Sequence, residues 1–149
     1  MITRVEDFAA EWTQESEKTL QLLGALTDES LHQQVAPGHW TLGEIAWHLV
    51  QSIHYMTYLG LSFRAPKAER PTSAAEIAEE YRAMSRELLE AVRTQWSDAS
   101  LQEEREIAGV LWQNGTSLRF TITHQAHHRG QMTVLMRQAG LADMPKIFG

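Results

Sequence analysis

Two histidines on one predicted helix have the residue type and the spacing that best suit chemistry. His124 and His128 lie four positions apart in the segment HQAHHRGQ, residues 124–131. On an α-helix this spacing stacks two side chains on one face, about one turn apart, close enough for two imidazoles to share one ion. His127 is rotated from His124 by about 60° around the helix axis and is therefore a flanking group. The pair predicts two ligands of a metal site.

A third histidine comes from another predicted helix. His48 falls on an apolar stripe with Ile45, Leu49 and Met56, so its imidazole is expected to face inward. Metal sites of helix bundles are built from side chains on facing helices. Three neutral imidazoles with an open fourth position form a catalytic-type site for zinc or another divalent ion. The alternative, surface histidines or histidines satisfied in the core, stays open on spacing alone.

The chain has seven histidines and no cysteine. The lack of cysteine excludes disulfides, thiolate zinc sites, cysteine nucleophiles and Cys-ligated iron–sulfur clusters. Any reacting sulfur would have to come from another molecule. His32 and His39 lie in a predicted connection and His54 lies off the stripe of His48, so we expect these three to be solvated or hydrogen-bonded side chains.

The residue after His124 argues against a zinc peptidase. In such enzymes a glutamate follows the first histidine and acts as general base, whereas this chain has Gln125. An amide cannot accept the proton of metal-bound water, so peptidase chemistry of that type is disfavoured. Carboxylate-bridged di-iron chemistry is disfavoured as well, because the sequence contains no pair of Glu-x-x-His motifs.

The composition excludes other classes of protein. The chain has 149 residues, 19 acidic and 13 basic, so no broad cationic surface is expected and nucleic acid is not an expected ligand. No apolar run approaches the roughly 20 residues needed to cross a bilayer, and the first residues lack the order of a signal peptide. We expect a cytoplasmic protein with no membrane partner, folded as a single domain over residues 1–149.

The first two predicted helices follow from spacing and capping signals. Apolar residues recur at intervals of three and four over residues 2–26, which predicts a helix. Residues 27–38 end in Ala-Pro-Gly and predict a connection. Thr41 and Glu44 have the spacing of a capping box, so a second helix is expected to begin there. Its apolar stripe runs over residues 45–59.

A charged, proline-containing loop is predicted over residues 64–71. Ser73 and Glu76 repeat the capping-box spacing, and the stripe over residues 77–96 predicts a third helix with a charged outer face. Residues 97–114 are the least regular part of the chain. They predict an extended or hairpin-like segment around Ile107, Val110 and Trp112, turned at Asn114-Gly115.

The fourth predicted helix carries the histidine pair. It spans about residues 117–139, with Gly140 where a left-handed C-cap is expected. Gly130 in its middle costs about 1 kcal/mol relative to alanine, which suggests a close approach by another element or a ligand. No strand pattern is long enough for a large sheet. The predicted fold is therefore all-α, an antiparallel four-helix bundle with the connection between helices 3 and 4 at one end.

The tryptophans are predicted to be mainly structural. Trp40 and Ile45 flank the capping box at the positions of a hydrophobic staple. Trp112 is the one considered for the wall of a pocket. The remaining tryptophans are expected in the core or at its edge: Trp12, Trp47 and Trp96.

These residues resemble the DinB-like superfamily. The resemblance rests on His48 in the segment WTLGEIAWH and on His124-x-x-x-His128 followed by Arg129-Gly130-Gln131. It covers nearly the whole chain in length and helix order. It implies an up-down-down-up four-helix bundle in which His48, His124 and His128 bind one divalent ion, often nickel or zinc. Members of the superfamily are commonly homodimers.

The resemblance also implies a chemistry. Characterised relatives include transferases and isomerases that use bacillithiol, mycothiol or glutathione, with the metal binding and activating the thiol as thiolate. A divalent ion at an open site lowers the pKa of a bound thiol or water and leaves a nucleophile at neutral pH. The implied protein is a metal-dependent enzyme that transfers a low-molecular-weight thiol to a small electrophile. Two alternatives stay open: a metal-dependent hydrolase that activates water, and a non-catalytic metal-binding or stress-related module.

Two further residues are candidates for contacts around the metal. Gln131 shares the face of the ligands and could orient His128 or a bound molecule. Arg129 could pair with an acidic cosubstrate or with a surface carboxylate. Glu44 is expected to act as a helix cap, and no catalytic residue is assigned. Besides nickel and zinc, three histidines admit iron, manganese or cobalt.

Overall fold

Four α-helices contain most of residues 1–147, the part of the chain that this computed structural model describes. They are α1 (Val5–Gly24), α2 (Leu42–Ile53), α3 (Ala74–Gln95) and α4 (Asn114–Gln138). Two short strands, β1 (Glu104–Ile107) and β2 (Val110–Gln113), pair antiparallel between α3 and α4. The mostly helical prediction is confirmed, and the hairpin adds a small sheet to the predicted all-α class.

The helices share one apolar core. α1 packs against α3 and α4, and α2 packs against the same two helices. Fully burying a large apolar side chain contributes about 1.5–3 kcal/mol relative to leaving it exposed. Of the tryptophans expected in the core or at its edge, Trp12 and Trp47 are buried and Trp96 packs against the core. Other fully buried side chains come from α1, α2 and α3: Phe8, Leu49, Ile53, Ile77, Tyr81 and Met84.

The helix ends follow the signals in the sequence. The Thr41 hydroxyl accepts from the Glu44 amide, and the Glu44 carboxylate accepts from the Thr41 amide, so the predicted capping box is confirmed. The Ser73 hydroxyl accepts from the amide of Glu76 at the start of α3. Gly140 has a φ of 78°, as predicted for a left-handed C-cap residue, and its amide donates to the carbonyl of Arg137.

The turn predicted at Asn114-Gly115 is wrong, although the hairpin itself is present. The chain turns at Ala108 and Gly109, whose φ angles of 52° and 80° suit the two-residue turn of a twisted hairpin. Asn114 instead begins α4, and its side-chain amide donates to the carbonyl of Ser100 at 2.9 Å. Gly115 is needed for packing, because a Cβ there would collide with the carbonyl oxygen of Ile2.

The end of α2 and the lack of a membrane-spanning helix among the described residues can be compared with the sequence analysis. The stripe predicted to run to residue 59 ends as α-helix at Ile53 and continues as a 3-10 helix over His54–Leu59. Within residues 1–147 no helix is both long enough and apolar enough to cross a membrane.

Candidate metal centre

Two helices bring three histidines together. α2 supplies His48, and α4 supplies His124 and His128. The apolar stripe of α2 packs into the core through Ile45 and Leu49. This packing fixes the rotation of the helix and therefore the direction of His48. Since α2 packs against α4, the three imidazoles meet between these two helices.

The ring nitrogens of the three histidines converge. His124 Nε2 lies 3.1 Å from His48 Nε2 and 3.1 Å from His128 Nε2. Two nitrogens that bind one ion at about 2.0–2.1 Å with a tetrahedral angle are roughly 3.3 Å apart. The spacing of the histidine nitrogens is close to this value, so the three could hold one metal ion.

Gln131 determines which ring nitrogen of His128 carries the proton. Its amide oxygen Oε1 lies 2.7 Å from Nδ1 of His128. An amide oxygen can only accept, so Nδ1 of His128 carries the proton and Nε2 presents a lone pair toward His124. Such a contact orients a ligating imidazole and raises its basicity. The prediction that Gln131 could orient His128 agrees with this contact.

Burial favours the neutral form of all three imidazoles. Burial lowers the pKa of His48, and the neighbouring His128 adds to the shift. Burial also lowers the pKa of His124 to about 4, with smaller effects from His128, His48 and His127. Burial lowers the pKa of His128 although the Gln131 contact acts in the opposite direction. Neutral imidazole is the form that binds metal ions.

The donor set fits a cation better than it fits hydrogen bonds alone. Nε2 of His128 has no proton to give, so only His124 or His48 can supply one. A single N–H of His124 cannot point at both neighbours, which leaves one of the two 3.1 Å contacts without a well-aligned proton. A divalent ion at the centre would accept a lone pair from each nitrogen.

The other histidines lie outside this cluster. His32 and His39 are exposed, as expected for solvated side chains, and His54 stacks edge-on against Phe63. His127 is exposed and touches only the ring of His128 among the three ligand candidates, with centroids 4.8 Å apart.

Two cavities open onto the histidines. One, of about 660 Å³, reaches His128 and Gln131 and is lined by α4 and by the connection between α1 and α2, including His39 and Trp40. The other, of about 610 Å³, reaches His124. Trp112 lines the second cavity, so its predicted place in a pocket wall is confirmed. Within the described chain, no carboxylate and no Lys or Arg lines either cavity.

Trp40 contacts the histidine cluster. Its ring lies 5.2 Å from that of His48, edge-on, and about half of the side chain is exposed. The ring therefore forms part of the surroundings of His48 in addition to its predicted position beside Ile45, which lines the same cavity. Sequence reasoning missed this contact, because Trp40 precedes α2 and no helical spacing relates it to His48.

Arg129 is placed elsewhere than the sequence suggested. It is 2% exposed, and its guanidinium donates to the Glu15 carboxylate, the Glu15 carbonyl and the Thr19 hydroxyl, all on α1. It lines neither cavity at the histidines, so in this structure it is a core residue that joins α4 to α1. An acidic cosubstrate would find no cationic side chain among the described residues that line the two cavities.

Gln125 is a core residue, and Gly130 differs from what the sequence suggested. Gln125 is fully buried and turned away from the histidines; its Oε1 accepts from the Tyr81 hydroxyl at 2.9 Å. The predicted approach of another element to Gly130 is wrong, because a Cβ there would meet nothing within 4 Å; the alternative, a ligand at this position, stays a prediction. The rule that reads a mid-helix glycine as a packing site fails here because this position is exposed.

The chain is similar to known proteins over its whole length. A model of the DinB family matches residues 1–146. The uncharacterized protein YrdA of Bacillus subtilis is 47% identical, and the alignment covers 100% of this chain and 90% of the relative. A crystal structure of a DinB-like protein from Bacillus cereus superposes with a TM-score of 0.91 at 44% identity, covering 97% of this chain and 99% of that one.

A more distant structure shares the fold alone. It is a DinB-like protein from Bacillus subtilis, YjoA, with a TM-score of 0.76 at 17% identity. The superposition covers 93% of this chain and 96% of that one.

Proposed function

The chain belongs to the DinB family, and from that premise we propose that it binds one divalent metal ion and transfers a low-molecular-weight thiol to a small electrophile. His48, His124 and His128 would be the ligands. The observation that supports this most directly is the convergence of their three Nε2 atoms between two cavities. Nickel and zinc suit three imidazoles, and iron, manganese and cobalt are the further candidates.

The surroundings of the site favour a thiol over water as the nucleophile. A bound divalent ion would lower the pKa of a thiol and leave a thiolate at neutral pH. Hydrolysis of the peptidase type needs a carboxylate to take a proton from water, and the described residues that line the two cavities include none. The chain contains no cysteine, so the sulfur would be that of a cosubstrate.

The residues of the chain have separate tasks in this proposal. Gln131 keeps the proton of His128 on Nδ1, so that Nε2 is available to the ion. Trp40 packs edge-on against His48 and would shield one side of that ring. The two cavities would receive the two substrates, one beside His128 and one beside His124.

The directions of the helices, the compartment and the oligomeric state are part of the same proposal. The four helices would run up-down-down-up, which agrees with the packing of α1 and α2 each against α3 and α4. The protein would act in the cytoplasm, and the family resemblance implies a homodimer.

Metal analysis followed by a conjugation assay tests the proposal. Protein purified without chelators should hold about one divalent ion per chain. The variant His48→Ala should lose this ion. The control His54→Ala, in the 3-10 helix that follows α2, should keep it. Loaded with nickel or zinc, the protein should join bacillithiol, mycothiol or glutathione to chlorodinitrobenzene. In that step the sulfur bonds to the ring carbon, chloride leaves with the bonding pair, and the thiol proton goes to solvent.

The outcomes separate the three functions under consideration. Metal-dependent conjugation that disappears in His48→Ala supports thiol transfer. Ester or amide hydrolysis without a thiol would favour the hydrolase. One bound ion with no activity against a broad panel would favour the non-catalytic metal-binding module. Protein that holds no divalent ion, with His48→Ala and His54→Ala indistinguishable in metal affinity, contradicts the proposal.

A further inference from the structure

The cavity beside His124 has an uncharged lining. Its volume is about 610 Å³, within the range of about 300–1,000 Å³ that is typical of small-molecule sites. Apart from the imidazole of His124 and the indole N–H of Trp112, its polar side-chain groups are the hydroxyls of serine, threonine and tyrosine. A charged ligand placed here would lose hydration without gaining an ionic partner from the lining. The cavity therefore suits a neutral molecule.

Two rows of aromatic rings form walls of this cavity, and both end on the metal ligands. In the first row the ring of Trp112 lies 5.8 Å from that of Phe120, which lies 5.8 Å from His124. In the second row Tyr58 lies 6.3 Å from Tyr55, whose ring is 6.4 Å from His48.

These centroid distances fall in the range of favourable aromatic pairs, and Tyr55, Tyr58, Trp112 and Phe120 all line the cavity. A planar ring bound there would have aromatic side chains available for stacking or edge contacts. The aromatic lining also leads from the cavity to His124 and His48, the proposed metal ligands.

The hairpin directs alternate side chains of β2 into and away from the cavity. Val110 and Trp112 line it, whereas Leu111 between them does not. Successive residues of a strand point to opposite faces, which explains this division. Val110 and Leu111 are both exposed, 54% and 65%, so either can be replaced without removing a core residue.

The cavity beside His128 has different polar groups in its lining. It includes the imidazole of His39 and the amide of Gln131, together with the backbone of the connection before α2. Exposed large apolar side chains surround the cavity beside His124 in greater number: Tyr55, Tyr58, Val110 and Phe120. Four Tyr, Trp and Phe rings line the cavity beside His124, whereas among the described residues Trp40 alone does so beside His128.

We propose that the cavity beside His124 binds the electrophilic substrate and selects a neutral molecule with an aromatic ring. The electrophile would be an aryl or benzyl carbon that carries a leaving group. This inference rests on the proposed function for the reaction, in which the thiol sulfur bonds to that carbon, the leaving group departs with the bonding pair and the proton goes to solvent. Binding of the ring itself requires no metal.

Fluorescence titration with N-phenylnaphthylamine tests the binding step. This dye is neutral and aromatic, and its emission rises in apolar surroundings. The metal-free protein should bind it, and Val110→Asp should weaken binding at least about tenfold, since the carboxylate would face the apolar lining. Leu111→Asp, the same change one residue along the same strand, should leave the affinity within about twofold. Circular dichroism and urea unfolding should show both variants folded.

Further measurements separate this inference from the proposed function. His48→Ala should lose the metal and still bind the dye. With metal loaded, Val110→Asp should raise KM for chlorodinitrobenzene, whereas Leu111→Asp should leave this KM within about twofold of the wild type. Dye binding without metal binding counts against the proposed function alone.

Three results overturn the inference. The first is wild-type protein that binds metal but not the dye. The second is an equal loss of dye affinity in Val110→Asp and Leu111→Asp. The third is a second copy of the chain over the cavity, seen in ultracentrifugation as a dimer that Val110→Asp dissociates without lowering dye affinity.

Discussion

α4 carries two pairs of polar residues that have the same spacing but different surroundings. Gln125 and Arg129 are four residues apart, as are His124 and His128, and the two pairs are offset by one position. A shift of one residue turns a side chain by about 100° around the helix axis, so the pairs face different neighbours. The first pair faces the core and the second faces two cavities.

The core-facing pair satisfies its polar groups inside the protein. Gln125 contacts all three other helices: its Oε1 accepts from the hydroxyls of Thr19 and Tyr81, and its Nε2 donates to the carbonyl of Leu49. Arg129 pairs with Glu15, and only Nε of its guanidinium has no acceptor among the described residues. Such a network fixes the helices relative to one another.

The cavity-facing pair leaves its binding capacity open. His124, His128 and His48 direct Nε2 atoms at one another at distances that no set of ring protons satisfies well. Buried polar residues with internal partners therefore support the fold, whereas converging lone pairs beside a cavity indicate a ligand. This difference predicts that mutations in the two pairs affect stability and metal binding separately.

Arg129→Met should give the largest effect, a loss of about 3 kcal/mol in the free energy of unfolding. After the substitution, Lys18 is the remaining cationic partner of the Glu15 carboxylate among the described residues. Metal affinity should stay unchanged. Urea denaturation measures the first quantity and a competition titration with a chelating dye measures the second.

Arg119→Met is the matched control for this prediction. Arg119 also joins α4 to α1 through a glutamate, Glu11, but both side chains are more than one third exposed. An exposed pair of this kind contributes about 0–1 kcal/mol. Equal losses of unfolding free energy in Arg129→Met and Arg119→Met would show that burial does not increase the contribution of the Arg129–Glu15 pair to stability.

His124→Ala should show the opposite pattern. Without metal, its free energy of unfolding should stay within about 1 kcal/mol of the wild type. With metal at 100 times the dissociation constant of the wild type, the wild type should gain about 2.7 kcal/mol and the variant almost nothing. His127→Ala, which removes an exposed neighbour, should keep the full gain. A metal-independent collapse of His124→Ala would place the histidines among the structural residues.

Gln131→Ala should give a smaller effect on metal binding, a loss of about 10–100-fold in affinity. The side chain is exposed, so stability without metal should change by no more than about 0.5 kcal/mol. Gln131→Glu keeps an oxygen acceptor for Nδ1 of His128 and should retain most of the affinity. If alanine and glutamate at this position weaken binding equally, the hydrogen bond to His128 is not the reason.

The smallest effect concerns the acid dependence of stability. Burial raises the pKa of Glu15, but hydrogen bonds and charge attraction from Lys18 and Arg129 outweigh it and hold the pKa below 4.5. The ionised carboxylate thus contributes stability that is fully present above pH 4.5 and is lost as pH falls through the lowered pKa. The stability difference between wild type and Glu15→Gln should therefore shrink below pH 4.5. A difference that is constant with pH would contradict this assignment.

Local signals in the sequence predicted the parts of the fold that local interactions determine. Thr41 and Glu44 form the capping box, Gly140 ends α4, and the three histidines meet as their spacing and stripe indicated. Each of these depends on the geometry of one helix or on one apolar face. Metal binding itself stays a prediction.

Tertiary contacts decided the features that the sequence predicted poorly. The signal for burial of Arg129 was present, because Gln125 and Arg129 continue the buried stripe of Leu118, Ile122, Met132 and Met136. Its charge made a surface or substrate role the ordinary interpretation, and only Glu15 on another helix explains its position. The turn residues Asn114 and Gly115 likewise serve contacts with Ser100 and Ile2, which no local rule contains.

The hairpin is attached to the site without containing any of the proposed metal ligands. Its strands supply Ile107, Val110 and Trp112 to one cavity, while the histidines stay on α2 and α4. Changes in hairpin sequence or length could therefore alter which molecules are accepted while the reaction centre is inherited intact. For protein engineering, this makes the exposed hairpin positions Val110 and Leu111 the first sites for libraries, whereas Ile107 packs against the core.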